Sequence, residues 1–338
     1  MGRLGGVCLV RFDRTAARDT GRRCIVVVRG AGVPKARGLM ARREQRAAYL
    51  FLSPWLFGLL VFWLVPIVGS LLLSFSEWNI ITSPEWVGLD NYRDMIDDRT
   101  FWLSIRVTLK YLLLSVPLYI VCGLLLSLVL NLKIRGINVF RTILFLPSVL
   151  SGVAVAVLWV ALLNPDVGAV NEFLRALGME DPPRWLDSPT WAVPSVVLVG
   201  LWGIGGGAII YLAGLQNIPA QLYEAALLDG AGPWQRFRYV TLPMITPTLL
   251  FVLLTSLIEA FQVFDIAYVL SRGGQGGLGD SLQFYLINLW NEAFVNSNYG
   301  YASALAWVLV LTAAAVILVI FRTSGRWVYY EYDPDRER

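Results

Sequence analysis

Six long apolar stretches, separated by polar segments, dominate the pattern of this chain. Each is about 20 residues or longer, the length that an α-helix needs to cross a hydrocarbon layer of roughly 30 Å. Strand-like alternation is absent, and backbone groups in lipid must pair within their own segment, so the stretches are predicted to be helices. The predicted spans are residues 48–75, 109–130, 142–163, 191–215, 244–270 and 301–321. The fold class is therefore predicted to be an all-α polytopic membrane protein.

Basic residues between the spans predict the orientation. With the N-terminus inside the cell, the inner segments carry 21 Lys and Arg residues and the outer segments carry 5. Positive residues are retained on the cytoplasmic side. Both termini, the segment 216–243 and the tail 326–338 are therefore predicted to be cytoplasmic. The excess of Lys and Arg residues is explained by this orientation and is not taken as a sign of nucleic-acid binding.

Composition agrees with a lipid membrane as the surroundings and restricts the chemistry. Apolar residues make up 57% of the chain, and the mean hydropathy is +0.60, which exceeds what a soluble fold of this length would bury. The chain has no histidine, and its cysteines lack metal-ligand spacing. Cys8 and Cys24 are predicted to lie in the reducing cytosol and Cys122 within a span, so neither a metal site nor a disulfide is expected.

The lysines argue against ATP hydrolysis by this chain. Lys35, Lys110 and Lys133 are its three lysines, and none follows a Gly-rich phosphate-binding loop of the Walker A type. Without histidine or a metal-ligand cluster, the chain also lacks a convergent catalytic set. It is predicted to be no enzyme and to bind no cofactor, so energy for any transport must come from elsewhere.

Residues 1–39 are rich in Arg and Gly, and their one apolar run, Cys24–Val28, is too short for the core of a signal peptide. A second methionine, Met40, opens the sequence MARREQRAAYLFLSPWLFG. The hypothesis is that residues 1–39 are a basic extension that is either disordered or not translated.

The polar segment 216–243, here called the elbow, has the signals of two short helices. A run from Gln221 to Leu228 favours a helix, and Asp229 with Gly230 is predicted to end it, since Gly readily adopts the left-handed conformation found at helix ends. A second run, 233–239, starts with proline and is predicted to stop before Pro243. The elbow is too polar to span a membrane.

The elbow also carries a spaced motif. In EAALLDGAGPWQRFRYVTLP, which begins at Glu224, the triplet Glu-Ala-Ala is followed by three residues, Gly, nine residues, Val240, one residue and Leu-Pro. This spacing resembles the cytoplasmic EAA loop of ABC importer permeases, in which isoleucine is usual at the place of Val240. The sequence around the motif is similar to the carbohydrate-importer branch of that family.

Further segments carry the same resemblance over residues 40–325. WVGLDNYRDM precedes the second span, Arg141 is followed by Leu146-Pro147 at the start of the third, and YGYASALA opens the last. The segment 271–275 departs from the family pattern because it lacks a Thr and a Pro. The resemblance implies a type I importer fold: a transmembrane permease domain, 40–325, with a helix-turn-helix coupling loop at 216–243.

The resemblance also implies partners and a location. It predicts a bacterial plasma-membrane subunit that imports a sugar, polyol or oligosaccharide by alternating access, together with a second homologous permease, a cytosolic ATPase dimer that holds ATP and Mg²⁺, and an extracytoplasmic solute-binding protein. The Glu224 carboxylate is expected to meet basic groups of the ATPase, and the two following alanines keep the helix thin. The expected coupling residues are Glu224, Ala225, Ala226, Asp229, Gly230, Leu242 and Pro243.

Polar residues within the spans suggest a solute pathway. Acids are costly inside a bilayer and should face protein or water. On a continuous fifth helix, Thr255, Glu259, Gln262 and Asp265 fall within an arc of about 120°, and Trp202 can stack on a sugar ring. The alternatives are a hydrogen bond or ion pair between helices for Glu259 and Gln262, an interfacial position for Asp265, and close helix packing through Gly203 and Gly207, which follow Trp202.

A second function stays open on these residues. A secondary transporter driven by an ion gradient would use Glu259 or Asp265 as its carrier acid, although the inverted repeats typical of such transporters are not evident in the sequence.

Overall fold

A computed structural model describes residues 39–132 and 134–329. The hypothesis about the N-terminal extension concerns residues that lie almost entirely outside this part, as do most residues of the tail. The described chain consists of two compact units, which divide after Leu60. In the first unit, the helix α1 (Leu39–Gly58) exposes large apolar side chains such as Phe51, Trp55 and Phe57. Such an apolar exterior is typical of a helix in lipid.

The second unit is helical apart from one short antiparallel pair, β1 (Ser76–Glu77) with β2 (Glu85–Trp86). Its helices are α2 (Val65–Leu73), α3 (Asp90–Asp97), α4 (Arg99–Leu130), α5 (Ile137–Val149), α6 (Gly152–Leu162), α7 (Ala169–Ala176), α8 (Ala192–Trp202), α9 (Gly205–Gln216), α10 (Ala220–Leu228), α11 (Pro233–Arg236), α12 (Leu242–Phe261), α13 (Asp265–Leu270), α14 (Tyr285–Trp290) and α15 (Tyr299–Ser324). Single π-helical turns lie at Leu59–Leu64, Phe237–Thr241 and Asn291–Val295, and a 3₁₀ turn lies at Leu278–Asp280.

Four helical runs in the described residues are long and apolar enough to cross a membrane: Glu44–Leu73, Arg99–Leu130, Pro233–Leu270 and Tyr299–Ser324. Two bent pairs bring the number to six if each pair is one span. α5 and α6 meet at 98°, and α8 and α9 meet at 55°. The fold is that of a helical, multi-pass membrane protein, as the sequence predicted.

The 32-residue helix α4 is the central support of the second unit. Near its middle, Tyr111 and Val116 share a core with α6, α8 and α12. Near its C-terminal end, α4 contributes Leu124 and Leu128 to a second cluster with α9, the elbow and the start of α12. At its N-terminal end, Phe101 packs with α3, α14 and α15. The two ends of α4 therefore mark two opposite ends of this unit.

Glycines allow the bent helices to approach closely, but at positions other than those expected. A Cβ atom at Gly205 would collide with the carbonyl of Leu144, and one at Gly200 would collide with the Tyr119 hydroxyl. By contrast, a Cβ atom at Gly207 would meet open space. The predicted packing face through Gly203 and Gly207 is therefore wrong, because the bend between α8 and α9 turns other glycines toward α4 and α5.

The fifth span is not one continuous helix. α12 ends at Phe261, Phe264 has φ −133° and ψ −65°, and α13 begins at Asp265. The predicted single polar stripe is consequently wrong in its geometry, because Asp265 lies on a separate short helix. α13 packs against α6 instead.

Candidate functional site

The first arm of the elbow ends as predicted. α10 runs to Leu228, and Gly230 adopts φ +77°. The Ala231 N–H donates to the carbonyl of Ala226 at 2.9 Å, and the Gly230 N–H donates to that of Leu227 at 3.0 Å. These bonds satisfy carbonyls that the helix end would otherwise leave free. Gly230 is required because residues with a Cβ atom rarely adopt this conformation.

The second arm differs from the prediction. α11 starts after Gly232, whose N–H donates to the Gln235 side chain at 2.7 Å, and the chain continues as a helix through Pro243 into α12. The expected stop before this proline is wrong. A π-helical turn precedes the proline, and in it the Leu242 N–H donates to the carbonyl of Phe237, five residues earlier. The wider turn lets a residue without an amide hydrogen follow at the start of α12.

One face of the elbow is fixed to the membrane helices. The Tyr223 hydroxyl lies 3.0 Å from the hydroxyl of Thr241. Tyr223 also packs on a buried apolar cluster that includes Ile218 and Ile245. α10 therefore packs against the base of α12, where Leu242 and Pro243 are half-buried.

The other face of the elbow is open to solvent. Glu224, Ala225, Asp229 and Gly230 are exposed, and Ala226 is half-buried. Large apolar side chains accompany the two acids: Leu228 is 90% exposed, and Trp234, which stacks on Phe237 at 5.5 Å, is 71% exposed. Acids bordered by exposed aromatic and aliphatic groups are typical of a protein interface.

The expected pathway residues do not form one cluster. Trp202 is 36% exposed and makes an edge-to-face contact with Trp159 at 6.1 Å. The Thr255 hydroxyl donates within its own helix, to the carbonyls of Phe251 and Val252. Within the described residues, no side-chain hydrogen bond joins any two of the predicted pathway residues; the Gln262 N–H donates to the backbone carbonyl of Glu259 at 3.2 Å. Trp159 was not among the predicted pathway residues, although a tryptophan within a predicted span was a signal that could have identified it.

The two acids and the amide of this group differ in their surroundings. Asp265 lies beside Gly152 at the bend between α5 and α6, where a Cβ atom on the glycine would be 3.8 Å from a carboxylate oxygen. Glu259 and Gln262 are exposed. In the part of the chain that the structure describes, the side chains of Glu259 and Gln262 make no hydrogen bond or ion pair, so the predicted alternative of a partner on a neighbouring helix is not observed.

A second candidate region lies at the N-terminal end of α4 and comprises residues 74–98 and 271–301, here called the distal cap. A groove of about 650 Å³ crosses it, and Glu77, Asp90, Asp94, Asp98 and Glu292 contribute to its lining. The Tyr301 hydroxyl donates to Asp98 at 2.9 Å. Burial raises the pKa of Tyr285, so its hydroxyl remains protonated and donates to the carbonyl of Leu305 at 2.9 Å.

Comparisons with known proteins identify the family of this chain. Residues 111–336 match the family model described as binding-protein-dependent transport system inner membrane component. The chain is 39% identical to the probable ABC transporter permease protein YesP of Bacillus subtilis, covering 86% of this chain and 94% of YesP. It is 36% identical to the trehalose/maltose transport system permease protein MalF of Thermococcus litoralis, covering 83% and 95%.

A solved structure shares the fold. A chain of the bacterial alginate ABC transporter, in complex with an alginate pentasaccharide-bound periplasmic protein, matches with a TM-score of 0.74 and 25% sequence identity. The match covers 85% of this chain and 96% of that one.

Proposed function

This chain belongs to the family of binding-protein-dependent transport system inner membrane components, and we propose that it is the permease subunit of an ATP-driven importer for a sugar or oligosaccharide. Its similarity to a trehalose/maltose permease along most of both chains supports the substrate class. The elbow carries the proposal: a helix-turn-helix whose Tyr223 packs in a cluster with residues of the membrane helices α4, α9 and α12 on one face, and which exposes acids and large apolar groups on the other.

The elbow is proposed to be the surface that a cytosolic ATPase dimer binds. Glu224 and Asp229 offer exposed carboxylates to basic groups, Ala225 and Ala226 keep α10 narrow, and Gly230 permits the turn. Leu242 and Pro243 join the elbow rigidly to α12. ATP and Mg²⁺ belong to the ATPase in this proposal, and the chain itself catalyses no reaction and binds no cofactor.

The orientation follows from this contact. The ATPase is cytosolic, so the elbow, both termini and the tail 326–338 are proposed to lie on the cytoplasmic side of a bacterial plasma membrane. The positive-inside bias of the loops supports the same orientation. The distal cap then faces outward and is proposed to be the surface where a solute-binding protein docks; the alginate transporter structure, which contains a periplasmic protein in complex with the transporter, supports such a partner.

A second homologous permease is proposed to complete the pathway. Closing of the ATPase dimer would draw two elbows together and shift the packed helices as rigid bodies. Trp202, Thr255, Glu259, Gln262 and Asp265 are proposed to line the route taken by the solute; the exposure of Trp202, Glu259, Gln262 and Asp265 within a single chain leaves them available to a solute or to the partner permease.

A secondary transporter remains the second candidate, and the observation that favours it is the unpaired Glu259. The deciding experiment is uptake of radiolabelled sugars into proteoliposomes that contain the purified complex, with the binding protein outside and ATP inside. The proposal predicts uptake that requires ATP and persists without an ion gradient. Uptake that runs on a proton or sodium gradient without ATP, and is lost in Glu259→Gln, would establish the second candidate instead.

A further inference from the structure

A cavity of about 500 Å³ lies where α12 begins and where the chain leaves α15. Its apolar lining residues are Leu242, Pro243, Leu249, Trp327 and Val328. Two arginines, Arg238 of the elbow and Arg326, line the same cavity. We call it the basic cavity. α12 and α15 both belong to helical runs that can cross a membrane, so a cavity at their ends lies at the level where a bilayer meets water.

The positive charge of the basic cavity is not neutralised by the described chain. No Asp or Glu lines it within residues 39–132 and 134–329. The ion pairs of that part of the chain are formed by Arg93, Arg175 and Arg272. Arg238 and Arg326 are exposed and have no carboxylate partner there. Guanidinium groups bind phosphate oxygens through paired hydrogen bonds, so both side chains are available to an anion that carries a phosphate.

The rest of the lining suits hydrocarbon. Leu242, Pro243 and Leu249 lie on the first two turns of α12. Trp327 and Tyr329 are exposed beside them. Tryptophan and tyrosine are enriched at the interface between membrane and water, because an apolar ring and a polar hydrogen-bonding group belong to one side chain. Apolar walls combined with two cations match a ligand that has both an apolar and an anionic part.

One wall of the basic cavity is held in place by hydrogen bonds. The chain turns after α15, where the Val328 N–H donates to the carbonyl of Ser324 at 2.9 Å, and Val328 is buried. The Tyr329 N–H donates to the Thr246 hydroxyl of α12 at 2.8 Å, and that hydroxyl donates to the carbonyl of Pro243 at 2.6 Å. The wall therefore exists without a ligand, and binding would not have to order it first.

We propose that the basic cavity binds an anionic phospholipid, whose phosphate accepts hydrogen bonds from Arg238 and Arg326 and whose acyl chains lie along the apolar wall. Charge selects this occupant, because unneutralised cations near a membrane surface attract anionic lipids. A zwitterionic lipid gains no such net attraction. The bound lipid would join the elbow, which carries Arg238, to the segment that follows α15. The proposal goes beyond the proposed function and depends only on the multi-pass membrane fold.

The test measures lipid binding to the delipidated chain, purified in detergent with its bound subunits, by native mass spectrometry. Dioleoyl phosphatidylglycerol is the anionic probe, and dioleoyl phosphatidylcholine has the same acyl chains without net charge. The first phosphatidylglycerol is expected to bind at least about tenfold more tightly than phosphatidylcholine. Combining Arg238→Gln with Arg326→Gln should weaken phosphatidylglycerol binding about 10- to 30-fold, about fivefold for each lost cation, and leave phosphatidylcholine binding unchanged.

Two further variants separate the basic cavity from a general attraction to basic residues. Combining Arg135→Gln with Arg322→Gln removes the same charge from exposed positions outside the lining, and should leave binding of the first phosphatidylglycerol unchanged. Combining Arg238→Lys with Arg326→Lys keeps both charges and should recover most of the loss. Since the two cavity arginines have no ion-pair partner in the described chain, their glutamine variants should keep the thermal stability measured without lipid.

The alternative occupant is the acidic tail of the same chain, whose carboxylates follow the basic cavity in sequence: Glu331, Asp333, Asp335 and Glu337. If the tail filled the cavity, phosphatidylglycerol would bind tightly only after these acids were replaced by amides. That result would overturn the inference. Equal affinity for the two lipids would also overturn it, as would an affinity for phosphatidylglycerol that is unchanged without the cavity arginines or is lost equally in the Arg135 and Arg322 control. Binding is measured without ATP or solute, so its outcome is separate from that of ATP-driven uptake.

Discussion

The elbow and the distal cap lie at opposite ends of α4 and differ in how they satisfy their polar groups. In the distal cap, hydrogen bonds join parts of the chain that are far apart in sequence: the Tyr285 N–H donates to Thr108 and the Tyr301 hydroxyl donates to Asp98, both at 2.9 Å. In the elbow, the hydrogen bonds of the side chains, such as that between Tyr223 and Thr241, stay within the elbow itself, and its two acids form no ion pair in the described chain.

The two regions also differ in their apolar side chains. The distal cap exposes Ile81 but buries Met95 and Tyr285 in a cluster with Phe101 of α4, whereas α10 and α11 of the elbow contain no buried residue and leave Leu228 and Trp234 largely in solvent. One end is stabilised by its own chain, and the other presents surface that a partner protein would bury. Substitutions in the elbow should therefore impair coupling, and substitutions in the distal cap should impair stability.

The largest effect is expected at the turn of the elbow. Gly230→Val forces a β-branched residue into φ +77°, which displaces α10 relative to α11. A valine at this φ costs roughly 1–2 kcal/mol, and the chain relieves this strain by moving α10 out of its native position. Solute-stimulated ATP hydrolysis and uptake should therefore fall at least about tenfold. Gly232→Val is the control, since Gly232 has φ −70° and ψ 170°, which valine adopts readily. Equal loss in both variants would contradict the assigned role.

A smaller effect is expected from the exposed apolar surface. Leu228→Asp places a charge where the ATPase is proposed to bind, and co-purification of the ATPase should fall about 10- to 30-fold, as at an interface hot spot. Ile81→Asp is closely matched, because Ile81 is 89% exposed but lies in the distal cap. It should leave co-purification unchanged. If both variants lost the ATPase, the loss would follow from placing a charge at any exposed apolar position and not from the position of Leu228 in the elbow.

The smallest effect is expected at Asp98, which caps α4 through the Thr100 N–H at 2.7 Å and accepts from Tyr301. Asp98→Ala should lower the free energy of unfolding by about 1–2 kcal/mol, measured by thermal unfolding in detergent. Asp98→Asn retains an oxygen acceptor and should recover most of this loss. A stable alanine variant would show that the distal cap does not depend on this contact.

Local signals in the sequence predicted some of these features and not others. Gly230 ends α10 because a glycine after a helix-forming run acts through its own backbone, so the sequence suffices. The predicted stop before Pro243 was wrong, because the helix continues through a π-helical turn whose Val240 packs in the cluster that contains Ile245 and Tyr223, a contact that local sequence does not reveal. The roles of the coupling and pathway residues stay predictions.

The bends in the spans were not predictable from composition. The sequence stays apolar through both bends. At the first, near Leu150, α6 turns away beside Asp265; at the second, near Gly203, the backbone of Gly205 lies against Leu144.

The elbow is proposed to be the surface that binds an ATPase. The most direct test is to purify tagged chain from its native membranes in mild detergent and to identify the bound proteins by mass spectrometry. The account predicts recovery of an ATPase with Walker motifs and of a second permease with its own Glu-Ala-Ala loop. It also predicts that Leu228→Asp loses the ATPase and keeps the permease. A chain that is purified alone, yet takes up solute on an ion gradient, would contradict the account.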